Sequence, residues 1–352
     1  MHDALFIRRC FELASLGAGK VAPNPMVGAI LVHEGKIIGE GWHQKWGEAH
    51  AEVNCIRSVS TENQALIPYS TLYCNLEPCS HHGKTPPCAD LILKHKIPRV
   101  VIANTDPNPL VAGTGLSRLR NAGIEVVEGV LEEEGKWLNR AFFCWITQNR
   151  PYVILKWAQT QDGFISKVGE QTAISGPAAL RLVHRWRSVC EAILVGSRTA
   201  LIDNPRLDVR YYKGENPIRI LLDTQGKTPE SHHILDDSIE TWVLGSEKPL
   251  NKTFVRTKYF PAEGTVPIPY ILELLKAAGL ASLLVEGGAH VLNQFLDHEH
   301  WDEIRVIENS RYLEDGVSAP KLPKNAVLRS QFELGADTVR IFARHHAIKH
   351  PQ

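Results

Sequence analysis

A histidine, a glutamate and two cysteines stand in a spacing that is typical of a catalytic zinc site. One residue separates His50 from Glu52, and Cys79 and Cys88 each follow a proline. Catalytic zinc takes three protein ligands and leaves its fourth position to water, and one imidazole with two thiolates meets that need. His50, Cys79 and Cys88 are therefore predicted to bind one zinc ion per chain. Glu52 is predicted to stay off the metal and to carry a proton.

The spacing between the two cysteines differs from the usual spacing in zinc deaminases. A His-x-Glu pair followed by Pro-Cys and a second Cys is the pattern of zinc nucleobase deaminases, which usually have two residues between the cysteines. Here eight residues, Ser80–Pro87, separate them. Loop histidines near such a site more often bind substrate or solvent than metal. The alternative metal ligands that remain are His43, His81 and His82.

Composition limits the classes of function that the chain can have. Its 352 residues suffice for two domains, 43% of them are hydrophobic, and 39 basic residues balance 39 acidic ones. A neutral chain lacks the broad basic field of a nucleic-acid binder. Seven cysteines, an odd number, favour a reducing compartment over a disulfide framework. No apolar run is long enough to span a bilayer, so we expect a cytoplasmic enzyme without nucleic-acid or membrane partners.

Alternating helix and strand patterns place these residues on an α/β scaffold. The first part is predicted to contain helices at 3–16, 50–59, 88–95 and 115–122, and strands at 27–33, 70–76, 99–104 and 124–127. The second part is predicted to contain strands at 152–157, 192–196, 218–223, 241–245, 282–286, 303–308 and 338–343, and helices at 177–189, 268–278 and 289–297. Such alternation favours helix-covered sheets. A charged, then aromatic stretch that ends near Pro151 divides the chain into domains 1–147 and 148–352.

Several segments resemble the bifunctional riboflavin-biosynthesis deaminase–reductase family. The matching segments are Pro23–Gly28, Gly41–His43, His50–Glu52, Leu76–Cys88, Asp106–Gly115, Lys156–Gly163, Thr199–Arg210 and Val285–Gly288. The eight-residue insertion between the cysteines, with its Gly-Lys-Thr-Pro-Pro, is specific to this family among deaminases. The unusual cysteine spacing therefore supports the resemblance. The tail after Trp301 matches weakly.

The resemblance implies a fold and two consecutive reactions. The fold is α/β, with a cytidine deaminase-like three-layer αβα domain followed by a dihydrofolate reductase-like α/β domain. The first reaction is the zinc-dependent hydrolytic deamination of a small pyrimidine nucleotide, 2,5-diamino-6-ribosylamino-4(3H)-pyrimidinone 5′-phosphate. The second is the NADPH-dependent reduction of the ribosyl group to a ribityl group. The implied cofactors are one Zn²⁺ per chain and NADPH, and we further expect a homo-oligomer, either a dimer or a tetramer.

The resemblance also implies roles for single residues. In the deaminase, the substrate contacts are Asn24, His43, His81 and Lys84, with Lys84 facing the phosphate. In the reductase, the cofactor contacts are Ala158, Thr199, Asp203, Thr224, Gly288, Ala289, His290, Val291 and Leu292. The reductase substrate contacts are Lys156, Gln171, Arg187, Leu207, Arg210 and Glu286.

Physical reasoning alone supports the second domain less strongly. Gly287-Gly288 closes a predicted strand and opens a helix, where backbone amides can hold a phosphate, but the pair is also a common turn. Arg187 and Arg210 could each bind a phosphate through two hydrogen bonds, or lie on the surface. Asp203-Asn204-Pro205 could be a simple turn, and the absence of Gly-x-Gly-x-x-Gly argues against a Rossmann site.

Two departures from the family pattern concern the cofactor contacts. Gln171-Thr172-Ala173 stands where many members have an aromatic residue, and Tyr312–Gly316 replaces a glycine-rich loop. Three other functions remain as alternatives. They are a nucleic-acid deaminase, a deaminase whose second domain only scaffolds an oligomer, and a structural zinc protein, which would usually need a fourth protein ligand.

Overall fold

The chain forms two compact units in a computed structural model. The structure describes residues 2–80, 86–109, 112–247 and 253–345. The first unit extends to Arg150 and the second begins at Pro151. Within the described ranges, no helix is both long and apolar enough to cross a membrane.

The first unit is built on a five-stranded mixed sheet. Its helices are α1 (His2–Ser15), α2 (Ala51–Ser58), α3 (Cys88–Lys94), α4 (Thr114–Asn121), α5 (Glu132–Leu138) and α6 (Arg140–Gln148). Its strands are β1 (Gly28–His33), β2 (Lys36–Trp42), β3 (Thr71–Leu76), β4 (Arg99–Asn104) and β5 (Glu125–Val127), and a 3₁₀ helix covers Thr61–Tyr69. The strand order is β2-β1-β3-β4-β5. β1 is antiparallel to both of its neighbours, whereas β3, β4 and β5 are parallel.

Helices cover both faces of this sheet because successive strand residues point to opposite sides. Leu31 packs in a core with residues of α2, α3 and α4, whereas Ile30 packs in a second core with α1. The three layers confirm the expected αβα arrangement. The approach of α2 to β2 depends on Gly41, where a Cβ atom would lie 2.2 Å from the backbone nitrogen of Cys55. The missing side chain at Gly41 thus lets α2 pack directly against β2.

The second unit contains a nine-stranded sheet. The strands of this unit, of which all but β7 and β14 belong to the large sheet, are β6 (Tyr152–Thr160), β7 (Phe164–Ser166), β8 (Ala192–Gly196), β9 (Ile218–Leu222), β10 (Thr241–Gly245), β11 (Thr257–Pro261), β12 (Ser282–Gly287), β13 (Glu303–Asn309), β14 (Val317–Ser318), β15 (Ala326–Leu334) and β16 (Asp337–Arg344). Its helices are α7 (Pro177–Arg187), α8 (Ser197–Asp203), α9 (Ile268–Ala277) and α10 (Ala289–Asp297), with a short 3₁₀ turn at His233–Leu235. The sheet order is β11-β10-β9-β8-β12-β6-β13-β16-β15, and β7 pairs separately with β14.

The parallel part of the large sheet directs several strand ends to one edge. In the order of the sheet, the first seven strands, β11-β10-β9-β8-β12-β6-β13, run parallel to one another. β16 is antiparallel to both β13 and β15. The carboxyl ends of β8, β9 and β12, at Gly196, Leu222 and Gly287, therefore lie side by side. Open parallel sheets bind their ligands at such an edge, and the cavity of this unit lies there.

Candidate active sites

Three side chains from separate segments meet where α2 and α3 begin. His50 precedes α2, Cys79 follows β3, and Cys88 is the first residue of α3. His50 Nδ1 lies 3.5 Å from Cys79 Sγ and 3.4 Å from Cys88 Sγ, and the three ligand atoms lie within 4.8 Å of one another. Tetrahedral zinc, with bonds of about 2.3 Å to sulfur and ~2.0 Å to nitrogen, places such ligand atoms about 3.5 Å apart. The three donors therefore fit a zinc ion.

The two cysteine thiols shift each other's pKa in opposite directions. The backbone N–H of Cys88 donates to Cys79 Sγ over 3.3 Å. A side-chain hydrogen bond from Cys88, supported by one from His50, lowers the pKa of Cys79 to about 4. The same bond to Cys79, together with burial, raises the pKa of Cys88. One sulfur is thus prepared as a thiolate, which is the form of cysteine that ligates metals.

Glu52 lies in the first turn of α2, beside the metal-ligand group. Its side chain is buried, and burial is the main reason that its pKa is raised. It lines a cavity of about 260 Å³ together with His50 and Cys79. The carboxylate is therefore close to the three ligand atoms but does not belong to their group.

Two of the predicted substrate contacts lie on the wall of this cavity. Asn24 and His43 line it, whereas His81 and Lys84 fall outside the described residues. His43 Nδ1 lies 3.2 Å from the carbonyl oxygen of Ala49, and burial lowers the pKa of the ring. His43 Nε2 is buried and has no hydrogen-bond partner among the described residues. A neutral ring that donates through Nδ1 would keep Nε2 as an acceptor for a substrate N–H or O–H.

The cavity wall also contains residues to which the sequence analysis gave no role. They are Pro25, Val27, Ala51, Leu76, Glu77, Asp106, Asn108, Phe142 and Ile146. Asp106 and Asn108 belong to a segment that carries the family resemblance, so the motif could have indicated them. Phe142 and Ile146 stand four residues apart on one face of α6, within the aromatic stretch that was interpreted as a domain boundary.

A larger cavity, of about 590 Å³, lies at the strand ends of the second unit. Among its lining residues are all those assigned to the cofactor, namely Ala158, Thr199, Asp203, Thr224, Gly288, Ala289, His290, Val291 and Leu292. Four residues assigned to the reductase substrate also line it, namely Lys156, Arg187, Leu207 and Glu286. Burial raises the pKa of Asp203. The separate cavity gathers most of the predicted reductase residues.

Two of the predicted reductase substrate contacts lie elsewhere in the described part of the chain. Gln171 is absent from the cavity lining, and its Nε2 donates to the carbonyl oxygen of Asp203 over 3.1 Å. Arg210 is also absent from the lining. Its exposed guanidinium pairs with Asp208 and lies 4.8 Å from the centre of the Tyr211 ring. Both residues therefore lie outside the cavity lining in this structure.

The start of α10 offers backbone amides to the larger cavity. Gly287 has a φ of +136°, a conformation that favours glycine. The N–H of Gly288 donates to Thr199 Oγ1 over 2.6 Å, and a Cβ atom at Gly288 would lie 3.0 Å from that oxygen. A helix start of this kind binds anions through its free N–H groups. Because the N–H of Gly288 is already bonded to Thr199, the N–H groups of the residues that follow it would hold the anion. The arrangement fits a phosphate group of a nicotinamide cofactor.

A buried cluster of three charges forms another part of the cavity wall. The Nε and Nη2 atoms of Arg187 each lie 2.8 Å from a carboxylate oxygen of Glu286, and Lys156 Nζ lies 3.9 Å from Glu286 Oε2. Burial alone would raise the pKa of Glu286, but Arg187 and Lys156 outweigh it and hold that pKa at about 2. Burial lowers the pKa of Lys156. Arg187 is therefore held by Glu286 in this structure rather than standing ready as an isolated phosphate ligand.

Glu286→Gln is expected to destabilise the second unit by about 3–5 kcal/mol, because it leaves two buried cations without their counter-charge. The depressed pKa of Glu286 makes this contribution complete above the unfolded-state pKa of about 4.3, and it is lost as the pH falls through about 2. The mutational loss should therefore be full at pH 7 and shrink between these two values. Denaturant unfolding of the full chain, followed by hydrogen exchange in peptides after residue 151, measures it.

A matched control for this prediction is Glu308→Gln. Glu308 also receives two hydrogen bonds from an arginine, Arg340, but the two side chains are 22% and 31% exposed. Fully exposed pairs contribute only about 0–1 kcal/mol, and this partly exposed pair should contribute less than the buried cluster. If both variants lost the same free energy of unfolding, the larger effect expected for the buried cluster would be contradicted.

Comparison with known proteins identifies the family. Residues 1–104 match the family model of the cytidine and deoxycytidylate deaminase zinc-binding region, and residues 151–316 match that of the RibD C-terminal domain. The riboflavin biosynthesis protein RibD of Aquifex aeolicus is 37% identical over 97% of this chain and 99% of its own length. The chain belongs to the RibD family.

Further relatives agree with this membership. The RibD protein of Bacillus amyloliquefaciens is 40% identical over 91% of this chain and 87% of its own length. A crystal structure from Thermotoga maritima is 35% identical, has a TM-score of 0.89 and matches 98% of this chain and 99% of its own. As a RibD-family member, the chain is a bifunctional riboflavin-biosynthesis deaminase and reductase. The expected family, fold class and pair of activities are confirmed.

Proposed function

We propose that the first unit deaminates 2,5-diamino-6-ribosylamino-4(3H)-pyrimidinone 5′-phosphate, and that the second unit reduces the ribosyl group of the product with NADPH. The observation that carries the proposal is the His50–Cys79–Cys88 group, with the buried carboxylate of Glu52 beside it on one cavity wall. The relative from Thermotoga maritima is named as a diaminohydroxyphosphoribosylaminopyrimidine deaminase and 5-amino-6-(5-phosphoribosylamino)uracil reductase.

In the deaminase, we assign the chemistry to a zinc ion and one carboxylate. Zinc held by His50, Cys79 and Cys88 would supply the Lewis acidity that makes water nucleophilic at neutral pH. Glu52 takes a proton from the attacking water and returns it to the departing amino group. The pyrimidine is oriented by Asn24 and by the buried Nε2 of His43. His81 and Lys84 remain proposed contacts, with Lys84 facing the phosphate.

In the reductase, cofactor and substrate share the larger cavity. NADPH would supply the hydride for C1′ of the ring-opened ribosylamine. The amides at the start of α10 hold a cofactor phosphate, and the residues placed along the cofactor are Ala158, Thr199, Asp203, Thr224 and the run Gly288–Leu292. Lys156 and Glu286 lie near the reacting sugar. Arg187 and Arg210 are assigned to the substrate phosphate, and Gln171 and Leu207 to the remaining substrate contacts.

The pair of reactions can be tested on the full chain in one assay. The diaminopyrimidinone nucleotide should release ammonia from the zinc-loaded protein without NADPH, and NADPH added afterwards should be oxidised in equal amount. The separately prepared deaminated nucleotide should consume NADPH without releasing ammonia. If that nucleotide left NADPH unchanged, the reductase assignment would be wrong while the deaminase assignment survived. Repeating the assay with NADH tests the preference for NADPH.

Arg210→Ala is expected to weaken binding of the reductase substrate roughly ten- to a hundredfold. A hydrogen bond to a charged group contributes about 1.5–3 kcal/mol, so the loss of a phosphate clamp should appear at this size. Binding of NADPH and the rate of deamination should not change. Isothermal titration with the deaminated nucleotide measures the effect.

The matched control for Arg210 is Arg181→Ala. Arg181 is an exposed arginine on α7 that does not line the described part of the cavity. This variant should bind the nucleotide as the wild type does. If the two variants bound the nucleotide equally well, Arg210 would stay outside the cavity in the bound state as well. Its assignment to the substrate phosphate would then be wrong.

We also propose that the protein acts in the cytoplasm as a homo-oligomer, a dimer or a tetramer. Cys10, Cys55, Cys74, Cys79 and Cys88 are free thiols, which agrees with a reducing compartment. Light scattering after size exclusion would give the number of subunits. A monomeric mass would contradict the second part of this proposal.

A further inference from the structure

A second carboxylate, that of Glu77, lines the deaminase cavity and has contacts very different from those of Glu52. We propose that Glu77 is a positioning residue, which fixes Asp106 and Asn108 as a wall of the substrate cavity. The proposal rests on the proposed deaminase function, because it concerns binding of that substrate. It is carried by the hydrogen bonds of Glu77, by the start of α4 and by the turn at Asp106.

The carboxylate of Glu77 is saturated with backbone hydrogen bonds. Its Oε2 accepts from the N–H groups of Asp106 over 3.1 Å and of Gly113 over 2.9 Å. Its Oε1 accepts from those of Gly115 over 2.9 Å and of Leu116 over 3.3 Å. A carboxylate offers about four lone-pair sites, so all are in use. Although Glu77 lines the cavity, it has no acceptor left for a substrate or for proton transfer.

These bonds provide a cap that α4 lacks in its own sequence. The residue that precedes the helix, Gly113, has no side chain, and the first turn contains no acidic residue. The first N–H groups of a helix need acceptors from outside it, and a negative charge at that end is stabilising. Glu77 meets both needs from a strand end that lies two residues before Cys79. At Gly115, a Cβ atom would lie only 2.3 Å from the carbonyl oxygen of Pro78, so the helix start touches the segment that leads to this cysteine.

The bond from Asp106 to Glu77 links this anchor to the cavity wall. Asp106 Oδ1 accepts from the N–H of Asn108 over 2.9 Å, and the carbonyl oxygen of Asn108 accepts from Ala112 over 2.8 Å. Asp106 and Asn108 both line the cavity that Asn24 and Glu52 also line. A shift of the Asp106 backbone would therefore move a wall of the cavity and leave the metal ligands in place.

Glu77→Gln tests the proposal on the full chain. Glutamine keeps the size of the side chain but replaces one acceptor oxygen with an NH₂ group, so two of the four N–H groups lose their partner. The Michaelis constant for deamination should rise roughly tenfold or more, while turnover falls by less than about threefold because Glu52 is untouched. Zinc content should stay at one per chain, and hydrogen exchange in peptides that contain Asp106 and Gly113 should become faster.

Glu40→Gln is the structural control. Glu40 lies on β2, away from the described cavity lining, and accepts hydrogen bonds of 2.7 and 2.9 Å from Arg9. Its substitution also removes carboxylate hydrogen bonds from the first unit, but it should leave the Michaelis constant unchanged. If Glu40→Gln raised that constant as much as Glu77→Gln, the effect would be one of general stability and the proposal would be overturned.

A mutant cycle with the wall residues tests whether Glu77 changes the Michaelis constant through the cavity wall. If Glu77 acts through the wall at Asp106 and Asn108, adding Glu77→Gln to a variant that carries both Asp106→Ala and Asn108→Ala should cause little further rise in the Michaelis constant. Two effects that simply multiply would overturn the proposal. If Glu77→Gln does not fold, Glu77→Asp keeps the negative charge but shortens the side chain, so the same backbone N–H groups lose their fitted acceptor. It should raise the Michaelis constant without loss of zinc, and an unchanged constant would also overturn the proposal.

Failure of the proposed function would look different. A wild-type protein that released no ammonia from the diaminopyrimidinone nucleotide would contradict the deaminase substrate. Even then, hydrogen exchange in peptides that contain Asp106 and Gly113 could be compared between Glu77→Gln and Glu40→Gln. Equal rates in those two variants would refute the positioning role by itself.

Discussion

Replacing Glu52 with glutamine is expected to slow deamination by about 10²–10⁴-fold or more, the range found for a placed general acid–base group. The upper end is expected because one carboxylate both takes and returns the proton, and an amide can do neither. Glutamine also has nearly the same shape as glutamate, so the buried position in α2 should stay filled and the fold intact. Ammonia release at saturating substrate measures the loss.

The same variant should retain functions that do not need the carboxylate. Zinc should remain at one ion per chain, because Glu52 is not in the ligand group. The rate of NADPH oxidation with the deaminated nucleotide should equal that of the wild type. Glu48→Gln, a change at an exposed glutamate of the same unit, should have no effect on either reaction. Retention of more than a tenth of wild-type deamination by Glu52→Gln would falsify the proton-transfer role.

Sequence patterns predict the buried parallel strands and amphipathic helices closely. The strands at Arg99–Asn104, Ala192–Gly196 and Thr241–Gly245 and the helix at Ala289–Asp297 begin and end at the predicted residues. Parallel strands that are covered on both faces form continuous apolar runs, which contrast sharply with polar turns. A helix that packs on one face repeats its apolar residues every three or four positions. In both cases, local composition follows burial.

Elements without such a contrast were absent from the predictions. β2 contains Gly39 and Gly41, and glycine weakens the pattern of a strand even where close helix packing requires it. β15 is an edge strand that is exposed along most of its length, so neither face is marked by apolar residues. α5 and α6 follow each other directly, and their charged and aromatic residues were interpreted as a domain boundary.

The predicted site residues differ in a similar way. The zinc ligands could be predicted because a metal requires particular donor types, and the geometry brings those donors together. The partners of Arg187 and Glu77 could not be predicted, because they depend on which distant backbone and side-chain groups the fold places nearby. Arg187, the last residue of α7, meets Glu286 of β12, and Glu77 meets four N–H groups of a later segment. Sequence spacing carries no information on either contact.

Cys88→Ser is expected to remove most of the zinc and to abolish deamination. Metal ligands must be deprotonated, and a serine hydroxyl does not ionise near neutral pH as a cysteine thiol can beside a metal. The change also removes one of the two thiolates that would offset the double charge of zinc. Because serine has nearly the size of cysteine and Cys88 is the first residue of α3, the helix itself should persist. Zinc per chain after dialysis against a weak chelator is the measurement.

The control must show that loss of a thiol is not enough by itself. Cys55 is a buried cysteine of α2 in the same unit, outside the ligand group. Cys55→Ser should therefore keep one zinc per chain and most of the deamination, although a buried hydroxyl lowers stability. In Cys88→Ser, NADPH oxidation with the deaminated nucleotide should continue at the wild-type rate, because the reductase cavity contains no predicted zinc ligand. Full zinc content in Cys88→Ser would remove Cys88 from the ligand set, and the search for the third ligand would return to His43, His81 and His82.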